Sequence, residues 1–408
     1  MATQSEAPTE PRRIVIAGAS LAGLRAAQTL RDAGFDGSLI VIGAEAHPPY
    51  DRPPLSKQLL LTEEAPVPPW LEEPPSLPAI ADFRFGTRAV ALDASARELV
   101  LDSRERLPYD RLLVATGAEP RTLPGTALLA GVHTLRTIEE SLAIRAAIDE
   151  GARVAVVGGG FIGSEVAAAA RQRGCEVTLI EALPQPLSRA VGTLVGERCA
   201  ALHERHGVRV LTDATVAGLR GDERVESVQL ADGEDIPAHL VVVGIGVVPA
   251  VDWLASSGVE LRDGVVCDQF CETALPGVFA AGDLARWYNP LFDEEMRVEH
   301  WTNAVEQGMA AATNMLLAND ARVPFAPVPY VWSDQYDINI RIAGRVSPEH
   351  EMKIAGGELD ALAFTAIFGR DGRLTGVLTF GHPMRPLNLF RRMIEARASW
   401  KDACATTF

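Results

Sequence analysis

Residues 153–181 read RVAVVGGGFIGSEVAAAARQRGCEVTLIE, and the fold is decided there. The apolar run Val154–Val157 suits a strand buried on both faces of a parallel sheet. Gly158, Gly160 and Gly163 follow in G-x-G-x-x-G spacing, and then comes an alanine-rich, helix-forming run. A second apolar run, Val177–Ile180, ends at Glu181, 23 residues after Gly158. These are the parts of a βαβ unit that binds a dinucleotide. The glycines allow a tight turn, close approach of backbone to pyrophosphate and close helix–strand packing, while the helix N-terminus faces the phosphates. An acid at position 181 can accept hydrogen bonds from adenosine ribose hydroxyls and repels a 2′-phosphate. An ordinary glycine turn would lack the flanking strands and the terminal acid.

Working outward, the same pattern occurs earlier. Apolar residues 14–17 lead to Gly18-Ala-Ser20-Leu-Ala-Gly23, a helix through Arg31, a strand over 39–42, and Glu45, 27 residues after Gly18. Ser20 replaces the middle glycine; a small hydroxyl residue can still lie against a phosphate. Two such units predict an α/β protein with two Rossmann-like dinucleotide-binding domains, and electron transfer between two dinucleotides is the economical use of both.

Between the units, His47-Pro-Pro-Tyr-Asp-Arg-Pro-Pro-Leu-Ser-Lys57 presents Arg52 and Lys57 from a proline-stiffened loop. Residues 65–78 contain six prolines and Trp70 and read as an irregular surface excursion. Short strands are expected around Val90 and over 98–101. A buried strand over 109–118 ends in Ala115-Thr116-Gly117, where small residues let a ligand approach the backbone. Helices are expected over 138–148 and 193–206. His203 and His206, near the end of the second, are explained by the helix dipole. The 241–249 strand carries Gly246 and mirrors the Ala-Thr-Gly strand. The 273–283 strand ends in a Gly-Asp283 turn, and 297–304 leads into a helix containing Gln307 and Gly308. From about 326 the texture changes to short alternating strands at 330–333, 338–343, 361–367 and 376–380, then a helix near 386–396. That pattern predicts a C-terminal α+β domain with an antiparallel sheet.

At 408 residues the chain should hold two or three domains, and 47 % hydrophobic with 23 % charged residues is ordinary for a soluble globular protein. A net charge of −16 without a basic stripe excludes nucleic acid as the expected partner. Five cysteines form no C-x-x-C pair, consistent with a reducing cytosol. Cys267 and Cys271 lack a second pair or a nearby histidine, so packing is expected of them and no metal. The N-terminal residues lack the apolar core of a signal peptide. Glycines 158, 159, 160 and 163 and Glu165 interrupt the one long apolar stretch, so no membrane span is expected. A cytoplasmic location follows.

Taken in order, Gly18–Gly23 with Glu45, Arg52-Pro-Pro-Leu-Ser-Lys57, Ala115-Thr-Gly117, Gly158-Gly-Gly-Phe-Ile-Gly-Ser-Glu165, Ala281-Gly-Asp283, Glu299-His-Trp301 and Val331-Trp-Ser-Asp-Gln335 span nearly the whole chain. Together they resemble the FAD-dependent pyridine-nucleotide reductases with two dinucleotide-binding domains, and within them the ferredoxin reductases of bacterial cytochrome P450 and aromatic-ring dioxygenase systems, of putidaredoxin-reductase type. The resemblance implies a discontinuous FAD domain (1–118 and 246–325), an inserted NAD domain (119–245) and a C-terminal domain (326–408). It implies FAD binding through Gly18, Ser20, Gly23, Glu45, Arg52, Lys57, Val90, Ala115, Thr116, Gly117, Gly246, Asp283 at the ribitol chain, Glu299, His300, Trp301, and Trp332 at the flavin ring. NADH would bind through Gly158, Gly160, Phe161, Ile162, Gly163, Glu165 and Glu181. Glu181 favours NADH over NADPH, and Arg189 works against that preference.

Lys57 and Glu165 are the expected catalytic pair. A buried carboxylate in the first turn of the phosphate-binding helix needs a partner, and the resemblance supplies Lys57. A cation there would stabilise charge on reduced flavin; a plain helix N-terminal acid is the alternative. The implied activity is to take hydride from NADH and pass single electrons to a 2Fe–2S ferredoxin. Disulfide reductases need a redox cysteine pair early in the chain, and no cysteine precedes Cys175. Oxidases and peroxidases of the fold place a cysteine where this chain has Asp51-Arg-Pro-Pro-Leu-Ser. The alternative is an NADH-responsive sensing protein resembling apoptosis-inducing factor, for which residues 326–408 leave little room. That section has ten Lys/Arg against nine Asp/Glu, less acidic than the rest, so an acidic ferredoxin should be steered towards it. Arg297, Arg391 and Arg392 are the expected docking residues, on a monomer or weak homodimer.

Overall fold

The structure, a computed structural model, describes residues 10–62, 64, 67–124 and 129–408. It contains two compact units. One comprises Met1–Asp51, Pro69–Glu119 and Val248–Pro329, and the other Arg52–Pro68, Pro120–Val247 and Tyr330–Phe408.

The first unit is built on a five-stranded, all-parallel sheet in the order Val278–Ala280, Arg111–Val114, Arg13–Ala17, Ser38–Ile42, Asp82–Arg84. Its central strands are continuous apolar runs because helices cover both faces of such a sheet. Helix Leu21–Asp32 packs closely on helix Trp301–Leu316: a side chain at Gly308 would bring a Cβ to 2.5 Å from the Ala22 carbonyl oxygen. Strands Ala89–Asp93, Glu98–Leu101 and Arg106–Pro108 form an antiparallel meander. The irregular excursion expected over 65–78 departs in part. Residues 65 and 66 lie outside the described residues, but Pro74–Ser76 forms a 3-10 turn and Leu77–Ile80 a helical turn. Proline fits the first helical positions, where its missing N–H has no partner to lose.

In the second unit a parallel sheet runs Arg209–Leu211, Val177–Ile180, Val154–Val157, Leu240–Val243, Val132–His133. Helix Phe161–Gln172 follows the glycine loop, and helix Ile138–Asp149 starts at a capping box between Thr137 and Glu140. The C-terminal sheet is wholly antiparallel, ordered Tyr330–Gln335, Ile338–Gly344, Arg373–Phe380, Ala363–Arg370, Glu351–Glu358. Its edge strand, Glu351–Glu358, is not among the expected strands. The Gly356–Gly357 pair and a register shift between Ile354 and Gly356 break the alternation that marks a strand. The final helix Trp400–Ala405, capped by the Ser399 side chain, is likewise additional.

One core joins the C-terminal sheet to the nucleotide-loop half of this unit. Val191, Val195, Cys199 and Leu202 pack with Ile340, Phe364 and Phe380, and Phe161 lies against them. Segment 52–68, expected within the first domain, also belongs here. It forms the 3-10 turn Pro53–Ser56 and the helical turn Gln58–Leu61, and carbonyls these turns leave over are satisfied from outside. Ser141 Oγ donates to Leu55 O (2.7 Å), Arg145 to Leu59 O (3.1 Å) and Glu64 O (2.8 Å), and Arg173 to Leu60, Leu61 and Thr62 O at 3.2–3.4 Å.

Candidate active site

Each parallel sheet delivers a glycine loop at the end of its central strand. Gly18 has φ +125° and Gly158 φ +102°, in the region only glycine enters without strain. A Cβ at Gly18 would lie 2.0 Å from Ala115 O, and one at Gly158 2.4 Å from Gly244 O. The third glycines are as constrained: a Cβ at Gly23 would fall 1.9 Å from Gly18 O, and at Gly163 2.0 Å from Gly158 O. The middle position differs, since a Cβ on Gly160 would meet nothing closer than 3.9 Å. Backbone packing therefore dictates the outer glycines, and only a ligand could demand the middle one. This explains how Ser20 fits: it starts helix Leu21–Asp32 in extended conformation, and its side chain makes no capping bond.

The two strand-end acids are held differently. The Tyr50 hydroxyl donates to Glu45. Glu181 turns back on its own loop, accepting from Gly159 N at 2.7 Å and Leu183 N at 2.8 Å. Arg189 is exposed on the short helix Ser188–Val191 beyond it. Near the first loop, Thr116 Oγ1 donates to Ala250 O, and Gly117 takes a positive φ. Gly282 N donates to Gln307 Oε1, and Asp283, half-buried, receives Arg297 at its backbone oxygen. His300 is the N-cap of helix Trp301–Leu316, and Trp301 Nε1 donates to Asp51 Oδ1 at 2.6 Å. Val90 is 44 % exposed on its strand.

In the second unit, Arg52 donates to Arg136 O, Gly246 has φ +100°, and Ile162 is 45 % exposed beside the loop. Trp332 stacks on Tyr330, with ring centroids 6.0 Å apart.

Lys57 and Glu165 come together. Lys57 Nζ lies 2.7 Å from Glu165 Oε2, with the two side chains only 11 % and 3 % exposed. The same oxygen accepts from Ser56 Oγ at 2.5 Å, and Oε1 accepts from Ser333 Oγ at 2.7 Å. The carboxylate is thus met by a cation and two hydroxyls, the condition under which burying it is tolerable. Glu165 is the fifth residue of helix Phe161–Gln172, just beyond the first turn in which it was expected. Ser56 and Ser333 carried no assigned role in the sequence. Nothing local marks them, because they reach Glu165 from 109 and 168 residues away.

Two further expectations need correction. Arg297 is not presented to a partner: its side chain is 12 % exposed and bonds Asp263, Glu299 and Asp283 O. His203 is not a dipole-stabilised cation, for it is fully buried and burial lowers its pKa to about 4. His206, exposed, stacks on Tyr336 with centroids 3.6 Å apart. Cys267 and Cys271 are free and buried, and burial pushes both thiols up. Among the described residues no cluster could hold a metal ion, and no helix is long and apolar enough to cross a membrane.

Comparison with known proteins identifies the family. The pyridine nucleotide-disulphide oxidoreductase family model matches residues 12–308, and a reductase C-terminal model matches 330–406. The chain belongs to this family. Within it, the chain is 38 % identical over 388 residues to the ferredoxin–NAD(+) reductase component of the anthranilate 1,2-dioxygenase system of Burkholderia cepacia, covering 94 % of each chain. It superposes on the ferredoxin reductase for the CYP199A2 system of Rhodopseudomonas palustris with TM-score 0.89 at 32 % identity, covering 96 % and 97 %. It also superposes on putidaredoxin reductase in its covalent complex with putidaredoxin, with TM-score 0.89 at 30 % identity, covering 95 % and 93 %.

This is the FAD- and NADH-dependent ferredoxin-reductase branch of the pyridine nucleotide-disulphide oxidoreductases. The residues suit two dinucleotides. The middle position of the second loop has room for a Cβ at ordinary contact distance, that of the first is filled by a small hydroxyl, and a carboxylate follows the second strand of each unit.

Proposed function

We propose that this chain is an NADH:ferredoxin oxidoreductase that supplies a cytochrome P450 or aromatic-ring dioxygenase system through a 2Fe–2S ferredoxin. The balance is one NADH and two oxidised ferredoxins giving NAD⁺, one proton and two reduced ferredoxins. One observation carries the reading: two glycine loops, each closed by backbone packing, with no cysteine near either to divert electrons to a disulfide. FAD, when bound, supplies the step from two-electron to one-electron chemistry.

In the first unit the first loop (Gly18, Ser20, Gly23), Glu45, Val90, Ala115, Thr116, Gly117, Asp283, Glu299, His300 and Trp301 would hold FAD, and in the second unit Arg52, Lys57, Gly246 and Trp332 are further cofactor-binding residues. The second loop, Phe161, Ile162, Glu165 and Glu181 hold NADH. Lys57 would supply the positive charge that stabilises reduced flavin, and Glu165 fixes its position. The FAD domain is 1–118 with 246–325, of which segment 52–68 falls in the second compact unit, the NAD domain is 119–245 and the C-terminal domain 326–408. Ferredoxin docks through Arg391 and Arg392 of helix Met384–Glu395, of which Arg392 is exposed. The protein works in the cytoplasm as a monomer or weak homodimer.

Anaerobic stopped-flow with NADH or NADPH, followed by mixing with oxidised ferredoxin, tests this. Fast bleaching by NADH and rapid ferredoxin reduction are expected. A long-lived NADH complex that reduces no ferredoxin would overturn the reading in favour of a sensing protein. Reversing charge at Arg391 and Arg392 should raise the ferredoxin KM at low salt only.

A further inference from the structure

The second oxygen of Glu165 leads into a line of buried polar groups that the electron-transfer reading leaves unused. Ser333 Oγ, which donates to Oε1, lies 3.3 Å from Gln335 Nε2. Beyond Gln335 lies His203, whose Nδ1 is 3.1 Å from the Tyr336 hydroxyl. Ser333, Gln335 and His203 are each 0 % exposed. Two enclosed atoms, His203 Nε2 and Gln335 Oε1, have no hydrogen-bond partner within range. They are a complementary donor and acceptor, and the Gln335 amide acts on the imidazole in the sense that favours its proton.

The charge at the end of the line sets every direction. A carboxylate only accepts, so Ser333 donates to it and its oxygen is free to accept from Gln335 Nε2–H. The amide oxygen of Gln335 must then accept, and the other orphaned atom, His203 Nε2, is the complementary donor. Burial leaves the imidazole neutral with one ring proton, so Nδ1 accepts from Tyr336, whose phenol burial keeps protonated.

We propose that His203 and Gln335 are positioning residues. A one-way hydrogen-bond chain from Tyr336 through His203, Gln335 and Ser333 holds the Glu165 carboxylate in the orientation that engages Lys57. Donors aligned in one sense polarise one another, which strengthens the last bond to the carboxylate. The chain orients and does not conduct: a proton crossing Gln335 would force its amide through an imidic-acid form. The His203–Gln335 step is the slack link, and closing it satisfies both orphaned atoms. The C-terminal hairpin is thereby coupled to the phosphate-loop helix through side chains from three separate segments. The consequence for electron transfer rests on the proposed role of the Lys57–Glu165 pair.

The test uses the holoenzyme and its Gln335→Leu, His203→Phe, Ser333→Ala and Gln335→Leu/Ser333→Ala variants. Nitrogen-15 spectra of histidine-labelled protein should show His203 as the neutral Nε2–H tautomer, with its signal shifted in Gln335→Leu. Each single variant should lower the limiting rate of flavin reduction about tenfold at unchanged NADH Kd, the worth of one hydrogen bond to a charged group. The double variant should lose no more than Ser333→Ala, and Ser333→Thr should restore the rate.

An Nδ1–H tautomer would overturn the chain, as would multiplicative losses in the double variant. So would a Gln335→Leu protein with lowered Tm but an unchanged limiting rate. An unchanged rate in Lys57→Ala, with the tautomer as expected, would overturn the pair's catalytic role and leave the chain standing.

Discussion

The two glycine-loop units are near copies in backbone and differ in what covers them. Both run strand, glycine loop and a helix of 12 residues, Leu21–Asp32 in one and Phe161–Gln172 in the other. Both need their outer glycines for the same reason, a carbonyl oxygen within 2.4 Å of any added Cβ. The fifth helix residue separates them. In the first unit it is Arg25, bonded to Gln28 of its own helix at 2.8 Å. In the second it is Glu165, enclosed by Ser56, Lys57 and Ser333 from two distant segments. Dinucleotide binding is thus a local property of the loop, whereas the chemical distinction of the second unit comes from segments packed onto its helix.

The sharpest way to break this comparison is at the shared glycines. Gly18→Ala and Gly158→Ala should each cost more than about 4 kcal/mol and leave little folded protein, since Ala is strained at positive φ and the carbonyls cannot retreat. Gly160→Ala should keep the wild-type Tm and weaken NADH binding alone. Thermal unfolding with NADH titration checks both. Equal Tm losses at 158 and 160 would mean that packing, not ligand, dictates the middle position.

Next in size is the fifth residue. Lys57→Ala leaves a buried carboxylate with only hydroxyl partners and should cost about 3 kcal/mol, whereas Arg25→Ala should cost under about 0.5 kcal/mol. Chemical denaturation of the two variants compares them directly, and similar losses would erase the asymmetry.

His203 adds a pH dependence to the second unit alone. It faces Tyr336, Gln335 and His206, with Arg171 acting on Tyr336. Burial holds its folded pKa near 4, below the free value of 6.5. Between those values the unfolded chain binds the extra proton. Stability from this group is therefore complete above about pH 6.5 and is lost as pH falls towards 4, by about 3 kcal/mol. Subtracting the pH–stability curve of His203→Phe from that of wild type isolates the effect. A flat difference curve would show that His203 accepts a proton in place.

The smallest effect concerns the strand-end acids. Glu181→Ala should narrow the preference for NADH over NADPH by about tenfold in kcat/KM, with Arg189 then free to favour the 2′-phosphate. An unchanged ratio would place coenzyme choice elsewhere.

Much of the molecule was legible without coordinates. The apolar runs at 154–157 and 177–180 and the helix between them need no partner to be recognised, because a strand buried on both faces and a phosphate-loop helix each leave a local pattern. The edge strand Glu351–Glu358 was hidden because two glycines and a bulge erase period two, while its partner strand supplies the hydrogen bonds. Arg297 looked like an exposed charge, and only tertiary contacts with Asp263 and Glu299 reveal it as an internal clamp.

The sequence by itself determined two dinucleotide loops, their terminal acids and an antiparallel C-terminal sheet, because the constraints behind them act between neighbours in the chain. It also placed a lysine and a glutamate that the family pairs. Tertiary structure alone decided that Glu165 receives Ser56 and Ser333 as well as Lys57, that His203 is neutral, and that segment 52–68 belongs with the second unit. Those outcomes depend on desolvation and on hydrogen-bond directions among residues more than a hundred positions apart, and no local pattern encodes them.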